Sequence, residues 1–131
     1  MLALKVSVAR APSPAKASSP NTSAHRITQR TMVFDEIDTG IGGRAAEAVG
    51  KKLKELARAN QVLCVTHLPQ IATFADHHYV IEKKAWDGRT RTSIRAVVGV
   101  ERTEEVARML SGAKLTDTSR KHAEQMIKAN G

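Results

Sequence analysis

Apolar and polar positions alternate along the chain in ways that predict both strands and helices. "MVFDE" (residues 32–36) is a short apolar run that ends in acids. Residues 43–59 carry apolar side chains at helical spacing with charged side chains opposite them, which predicts an amphipathic helix. "QVLCVT" (residues 61–66) is a continuous apolar run, typical of a strand buried on both faces. Strand, helix and strand in this order predict a crossover unit with two parallel strands.

The next segment predicts a short helix and a β-hairpin. Pro69 fits the first turn of a helix over residues 69–75. "HHYVIEKK" (residues 77–84) and "TRTSIRAVV" (residues 90–98) alternate apolar with polar positions and flank "WDG", which has the composition of a hairpin turn.

Two helices are predicted at the end of the chain. We expect Thr103 to cap a helix that ends at Ser111 and Gly112. Thr116 and Asp117 are expected to open a last helix that runs through Asn130. The pattern as a whole predicts an α/β fold with few strands, whose sheet has open edges.

The first thirty residues are harder to interpret. "MLALKVSVA" (residues 1–9) alternates like a strand, although its apolar residues also fit a short helix. Residues 9–30 are rich in Pro, Ser and Ala and lack hydrophobic periodicity, which predicts a flexible low-complexity linker or loop. The same composition, basic and without acids, is also found in organellar transit peptides. With 131 residues the chain is one domain at most.

Charge and cysteine content narrow the classes of function. The net charge of +8 suits a polyanion such as nucleic acid or nucleotide phosphate. Five bases and no acid lie in residues 1–31, so the remaining hundred residues are only mildly basic. The single cysteine, Cys64, excludes an internal disulfide and is expected to be a small buried hydrophobe in a reducing compartment. No run of eighteen apolar residues is present, which argues against a membrane span.

Polar side chains follow both predicted parallel strands, and such strand ends are where open α/β sheets bind ligands. Asp35 and Glu36 end the first strand, and His67 follows the second. An aspartate that closes an apolar strand is the Walker B arrangement, which holds Mg²⁺ through its water shell. A glutamate directly after it can orient or deprotonate the attacking water. His67, just before a helix, can donate to a terminal phosphate.

Two other kinds of site compete with this interpretation. His77 and His78 with Asp76 suggest a metal site, but neighbouring residues on a strand point to opposite faces. Glycines at positions 40 and 42 with alanine at position 45 spell the G-x-G-x-x-A of a dinucleotide site. That match is weak, because acids separate it from the strand and no acid follows at the position expected to bind the ribose.

A phosphate-binding loop of the form G-x-x-x-x-G-K-[ST] is absent from the sequence. The only Gly-Lys pair, Gly50 and Lys51, has Ala45 where the first glycine should be and Lys52 where Ser or Thr should be. The chain therefore carries candidate magnesium and water positions without the loop that grips phosphate.

"MVFDEIDTGIGGRAAEAVGKKL" followed by "QVLCVTHLPQIATFADHHYVIEK" resembles the C-terminal part of the RecN family of bacterial DNA repair proteins, relatives of the SMC proteins with ABC-type ATPase heads. The resemblance covers residues 1–8 and 31–131. It implies that residues 1–8 form the helix after the signature motif and that residues 9–30 are an insertion. Residues 31–131 would form the C-terminal lobe of a P-loop NTPase head, with Walker A, the Q-loop and the signature motif absent from this chain.

The resemblance also implies roles for individual residues. Asp35 matches the Walker B aspartate that holds Mg²⁺ through water, Glu36 the catalytic glutamate and His67 the switch histidine that senses γ-phosphate. The acids at positions 35, 36 and 38 would gather around the ion and the attacking water. SMC relatives end the D-loop with an aspartate where this chain has Gly42. The positions that match the D-loop at the head-to-head interface are Asp38, Thr39, Gly40, Ile41, Gly42 and Gly43.

The implied cofactors are ATP and Mg²⁺, bound weakly or not at all by this chain alone. The implied partners are the missing N-terminal lobe, a second head in an ATP-dependent dimer, and DNA, in a cytoplasmic, nucleoid-associated protein of recombinational repair. A second hypothesis is a small basic nucleic-acid-binding or scaffold protein, although the chain lacks the interleaved aromatic residues that stack on bases. A third, a dinucleotide-binding oxidoreductase, requires that the chain binds NAD.

Overall fold

The computed structural model describes residues 5–9, 30–86 and 88–131. Its elements in chain order are strand β1 (Lys5–Ala9), strand β2 (Thr31–Phe34), helix α1 (Gly43–Leu56), strand β3 (Gln61–Val65), helix α2 (Pro69–Ala72), strand β4 (His77–Trp86), strand β5 (Arg89–Val97), helix α3 (Gly99–Ser111) and helix α4 (Asp117–Asn130). Within these residues the strands form one sheet in the order β2-β3-β1-β4-β5. The predicted α/β class is confirmed.

The first strand-helix-strand unit forms as the sequence predicts. β2 and β3 are parallel, with Phe34 opposite Cys64. Helix α1 covers one face of this pair, because its apolar stripe packs with alternate residues of β3 and with the start of α2. The core of this region consists of Ala46, Leu53, Ala57, Val62, Cys64 and Ile71, with Phe34, Ile37, Ile41, Val49 and Leu68 packed against it.

Lys5–Ala9 form strand β1, so the helix that the resemblance implies over residues 1–8 is wrong for residues 5–8, and the strand indicated by the alternation of residues 1–9 forms there. This strand lies between β3 and β4 and is antiparallel to both. A strand in this position forms backbone hydrogen bonds with both β3 and β4. A helix in the same position would leave the N–H and C=O groups along the facing edges of β3 and β4 without partners. Residues 1–4 lie outside the described residues, and so do residues 10–29 of the insertion predicted over residues 9–30.

The hairpin forms around the predicted turn, with β4 and β5 antiparallel from His78 and Val97 to Trp86 and Arg89. Helix α3 begins five residues earlier than expected, because Val98 is extended and Gly99 adopts a φ of +54° at the first helical position. Thr103 is therefore not a cap. Its hydroxyl donates to the Gly99 carbonyl one turn back, at 3.3 Å.

Helix α4 begins as predicted. Thr116 and Ser119 form a reciprocal capping box, in which each side chain bonds to the other residue's backbone N–H. Its apolar face packs against α3 through Val106, Ala107 and Ala123, joined by Leu110, Leu115 and Ile127.

Hydrogen bonds tie this helical pair to the first unit. Arg102 of α3 donates to the carbonyls of Thr73 and Ala75 at 3.2 and 2.7 Å. Asn130 at the end of α4 donates to the Thr73 hydroxyl at 3.0 Å, and its carbonyl accepts from Lys54 of α1 at 2.6 Å. Burial lowers the pKa of Arg102, partly offset by the charge of Asp76.

Helices α1 and α2 approach closely at Gly50. A Cβ at this position would overlap the Phe74 ring and lie 3.1 Å from the Gln70 carbonyl oxygen. The glycine therefore sets the distance between the two helices that support the β2–β3 edge. Of the described helices, none has both the length and the apolar character required to cross a membrane.

Candidate functional site

The carboxyl ends of β2 and β3 lie side by side, as the sequence predicts. Phe34 is opposite Cys64 in the parallel ladder, which leaves Asp35 and Glu36 to emerge beside the end of β3, where Thr66 and His67 follow. Asp35 and Glu36 are exposed. Glu36 and His67 are 31 positions apart in the sequence. The acid pair and the histidine nevertheless lie at the same edge of the sheet.

The backbone at Glu36 is unusual. Its φ is +53°, and among the described residues it is the one non-glycine residue with positive φ. Side chains other than glycine rarely occupy this region, and such strain concentrates at functional sites. The conformation is held by Thr39, whose backbone N–H and hydroxyl both donate to the Glu36 carbonyl, at 3.3 and 3.0 Å. The extended path of β2 therefore ends in a turn at Glu36, whose side chain is exposed.

Asp38 is the buried member of the acid triplet, with 5% of its surface exposed. Its Oδ2 accepts hydrogen bonds from the Thr66 hydroxyl at 2.6 Å and from the His67 backbone N–H at 2.8 Å. The same oxygen lies 2.9 Å from Nδ1 of His67. One carboxylate thus joins the loop after β2 to the residues that follow β3.

Opposing effects act on the pKa of Asp38. Burial acts to raise this pKa, but hydrogen bonds from Thr66 and from the His67 backbone, together with the charge of His67, outweigh burial and lower it below 3.8. The carboxylate is therefore ionised at neutral pH. Being ionised, it can only accept hydrogen bonds, which suits the three donors that surround it.

The imidazole of His67 is oriented by this contact. Because the Asp38 carboxylate can only accept, Nδ1 of His67 carries the proton that lies between them. The side chain is otherwise 72% exposed. Nε2, on the other side of the ring, is left to meet a ligand at the edge of the sheet.

The expectation that all three acids gather around an ion fails at Asp38, which is bound to protein donors. Asp35 and Glu36 remain exposed at the edge. Within residues 5–9, 30–86 and 88–131, no group of three His, Cys, Asp or Glu side chains is placed to hold a metal ion. Mg²⁺ keeps several waters and requires only one or two protein carboxylates, so the exposed carboxylate of Asp35 is compatible with this ion.

The loop from Asp38 to Gly43 has one anchored end and an open surface. Asp38 is bound as described, and Ile41 packs against the core. Thr39, Gly40, Gly42 and Gly43 are exposed, and a Cβ at any of the three glycines would meet open space. Gly40 and Gly43 have φ values of +76° and +53°, which favour glycine for conformational reasons alone. The predicted interface loop is thus accessible to another molecule.

The competing sites find less support. β2 ends at Phe34 and α1 begins at Gly43, so the glycines do not follow the strand directly as a dinucleotide fingerprint requires. His77 is exposed and His78 is buried, on opposite faces of β4 as expected. Cys64 is a buried core residue. Burial, followed by the charges of Asp38 and Asp35, raises the pKa of its thiol to about 12, which makes it a poor nucleophile.

Thr66 is the site residue to which the sequence pattern assigned no role. Its hydroxyl donates to Asp38 and accepts from the Leu68 backbone N–H at 3.0 Å, at the entry to α2. The sequence feature that could have indicated this role is the position of the threonine, directly before a histidine at the end of an apolar run. No sequence signal indicated that the Asp38 carboxylate turns inward to Thr66 and His67, and the interface role predicted for Asp38 stays a prediction.

Comparisons with known proteins give one consistent result. No family model matches the chain. The DNA repair protein RecN of Deinococcus radiodurans is 52% identical over 97 residues, which is 74% of this chain and 17% of that protein. RecN of Mycobacterium leprae is 48% identical over 99 residues, 76% of this chain and 16% of that protein. RecN of Bacillus subtilis is 42% identical over 98 residues, 75% of this chain and 17% of that protein. The chain thus spans about a sixth of the length of these relatives.

Proposed function

The chain belongs to the RecN family of DNA repair proteins, and from this premise we propose that it supplies the hydrolytic edge of an ATPase head that acts in recombinational repair. Asp35 holds Mg²⁺ through a bound water, Glu36 orients or deprotonates the attacking water, and His67 contacts the terminal phosphate. The observation that carries the proposal is the parallel pairing of β2 with β3, which brings the acid pair and His67 to one edge.

The Asp38 contacts support the assigned role of His67. A histidine that senses a terminal phosphate must present one ring nitrogen in a fixed direction. The bond from Nδ1 to Asp38 fixes the ring and leaves Nε2 to donate or accept at the phosphate. Asp38 and Thr66 are positioning residues in this scheme, because they act on the phosphate only through His67.

The conformation of Glu36 supports its role as the base. A general base must reach the water while the neighbouring Asp35 faces the ion, so two adjacent side chains must point differently. The positive φ of Glu36 turns the chain at this residue, and this turn supports different directions for the two side chains. Its side chain is exposed and makes no ion pair within the described part of the chain, which leaves its oxygens available to a water.

The chain supplies only part of such a site. It has no G-x-x-x-x-G-K-[ST] loop, and backbone N–H groups of that loop normally cradle the phosphates. We propose that a second lobe brings this loop, and that a second head docks on the exposed residues of the loop Asp38–Gly43 when ATP is bound. The proposed setting is the bacterial cytoplasm, with DNA as the substrate of the whole assembly.

The test is ATP turnover by the chain alone and with the missing lobe, prepared from a RecN relative, added in trans. We expect no Mg²⁺-dependent turnover above background from the chain alone, and turnover when the lobe is present. Glu36→Gln should reduce the restored rate by about 10²- to 10⁴-fold, the usual contribution of a general base. Glu47→Gln, an exposed carboxylate change on α1, is the matched control and should keep the rate.

Two results contradict the proposal. Strong turnover by the chain alone would show that no second lobe is needed. Restored turnover that survives Glu36→Gln would remove this residue from the chemistry. Nucleotide binding by the Glu36→Gln assembly, measured by calorimetry, is expected to persist and separates impaired chemistry from impaired folding.

A further inference from the structure

The hairpin of β4 and β5 projects past the edge of the sheet that carries the candidate site. Val65 at the end of β3 and Tyr79 of β4 are both opposite Val6 of β1, so they lie at the same level. β3 and β4 run in the same direction, because both are antiparallel to β1. β4 continues for seven residues beyond Tyr79, a reach of about 23 Å at 3.3 Å per residue.

Basic side chains are concentrated on one face of this projection. Directly opposite residues in an antiparallel pair share a face. Lys84 is opposite Arg91, and Arg89 and Arg95 lie two and four residues from Arg91 along β5. These four residues, Lys84, Arg89, Arg91 and Arg95, are here called the basic stripe. Among the hairpin residues that the structure describes, Glu82, opposite Ser93, is the one acid on this face. The other face carries Lys83, Thr90, Thr92 and Ile94.

The stripe is exposed and its charge is only partly neutralised. Every residue from Arg89 to Ala96 is exposed, as are Lys83 and Lys84. Lys84 lies 3.4 Å from Glu82, and Arg95 lies 3.3 Å from Glu101. In the part of the chain that the structure describes, Arg89 and Arg91 make no ion pair or side-chain hydrogen bond. The N–H donors of these two guanidinium groups, near the turn of the hairpin, are therefore available to a ligand.

Protection of an open edge does not account for this pattern. Charged side chains do discourage unwanted strand pairing at the edge of a sheet, and β5 is an edge strand. Such protection works with charges on either face. Here three arginines, spaced by two and four residues along β5, lie on one face, and the opposite face of β5 has none. A one-sided row of cations instead matches a linear polyanion.

We propose that the basic stripe binds the phosphate backbone of duplex DNA. From Arg89 to Arg95 the stripe spans about 20 Å, long enough to reach several phosphates of a duplex. A two-stranded ribbon also fits the major groove, which is about 12 Å wide. The choice of DNA among polyanions rests on the proposed function in DNA repair. Since the hairpin projects past the edge with Asp35 and His67, bound DNA lies on the same side of the sheet as the ATP site.

The test is fluorescence anisotropy of a short labelled duplex with the full chain, without nucleotide, across a series of salt concentrations. Removing one cation that binds a phosphate reduces the slope of log K against log salt by about one. The double variant Arg89→Gln with Arg91→Gln should therefore reduce the slope by about two. The control is Lys51→Gln with Arg58→Gln, which removes one exposed cation from α1 and one just after this helix. The control should leave the slope unchanged within experimental error.

A second comparison stays within the hairpin. Arg91→Gln on the stripe should weaken binding, and Lys83→Gln on the opposite face should not. Equal losses of affinity from these two, or from the two double variants, would show that only bulk charge matters and would overturn the proposal. Absence of duplex binding by the unchanged chain would do so as well. The ATP turnover test contains no DNA, so the failure of one proposal leaves the other measurable.

Discussion

The two ends of the sheet are built in different ways. At the β2–β3 end, one buried carboxylate receives three donors from the adjacent strand end and fixes the direction of an imidazole. At the β4–β5 end, cations lie on an exposed ribbon, and two of them have no partner in the described residues. Fixed geometry is what chemistry at a single phosphate requires, whereas a repeating polyanion can be bound by charge and spacing alone.

The difference lies in burial. Asp38 is 5% exposed, and its hydrogen bond from the Thr66 hydroxyl is buried, where water competes little for the carboxylate. The side chains of the basic stripe are surrounded by water, where an ion pair contributes little. The β2–β3 end should therefore be sensitive to single substitutions, whereas the hairpin should tolerate them, and three stability measurements can test this contrast.

The largest effect is expected from Asp38→Ala. The change leaves the Thr66 hydroxyl and the His67 backbone N–H without an acceptor, at a cost of about 1–3 kcal/mol in the free energy of unfolding. Urea denaturation followed by circular dichroism measures it. Asp35→Ala, at an exposed carboxylate three residues away, is the control and should stay within about 0.5 kcal/mol. If both changes cost the same, burial of Asp38 does not distinguish this edge.

A smaller effect is expected from acid. Because the folded protein lowers the pKa of Asp38 below 3.8, the stability it contributes is complete above that value and is lost as pH falls through the folded pKa. The unchanged protein should lose stability between about pH 5 and the acid limit of folding more steeply than Asp38→Asn, which has no carboxyl to protonate at this position. Denaturation at a series of pH values measures both curves, and parallel curves would contradict the assigned pKa shift.

The smallest effect is expected in the hairpin. Arg89→Gln with Arg91→Gln should change the free energy of unfolding by no more than about 0.5 kcal/mol, because both side chains are exposed and, within the described residues, unpaired. Thermal unfolding at matched ionic strength is a sufficient measurement. A destabilisation comparable with that of Asp38→Ala would mean that the stripe is structural, and the two ends of the sheet would no longer differ in this respect.

Much of the fold was predictable because the signals are local. The apolar stripe of α1, the continuous run of β3, Thr116 before α4 and the turn between β4 and β5 each depend on residues within a few positions. Two predictions failed, one because a nearby backbone conformation and one because a distant pair of strands decides the element. Thr103 looked like a cap, but the end of β5 and the positive φ of Gly99 start α3 earlier. Lys5–Ala9 has a pattern compatible with strand or helix, and the slot between β3 and β4 decides.

The candidate site divides in the same way. The sequence alone was enough to predict which polar residues follow β2 and β3, because the apolar runs that precede Asp35, Glu36 and His67 can be read directly from it. Packing was needed to turn Asp38 inward to Thr66 and His67, and to pair Lys84 with Arg91 and carry the hairpin past the site. Neither arrangement follows from local pattern, because hydrogen bonds between residues 28 and 29 positions apart and the register of two strands depend on how the whole chain folds.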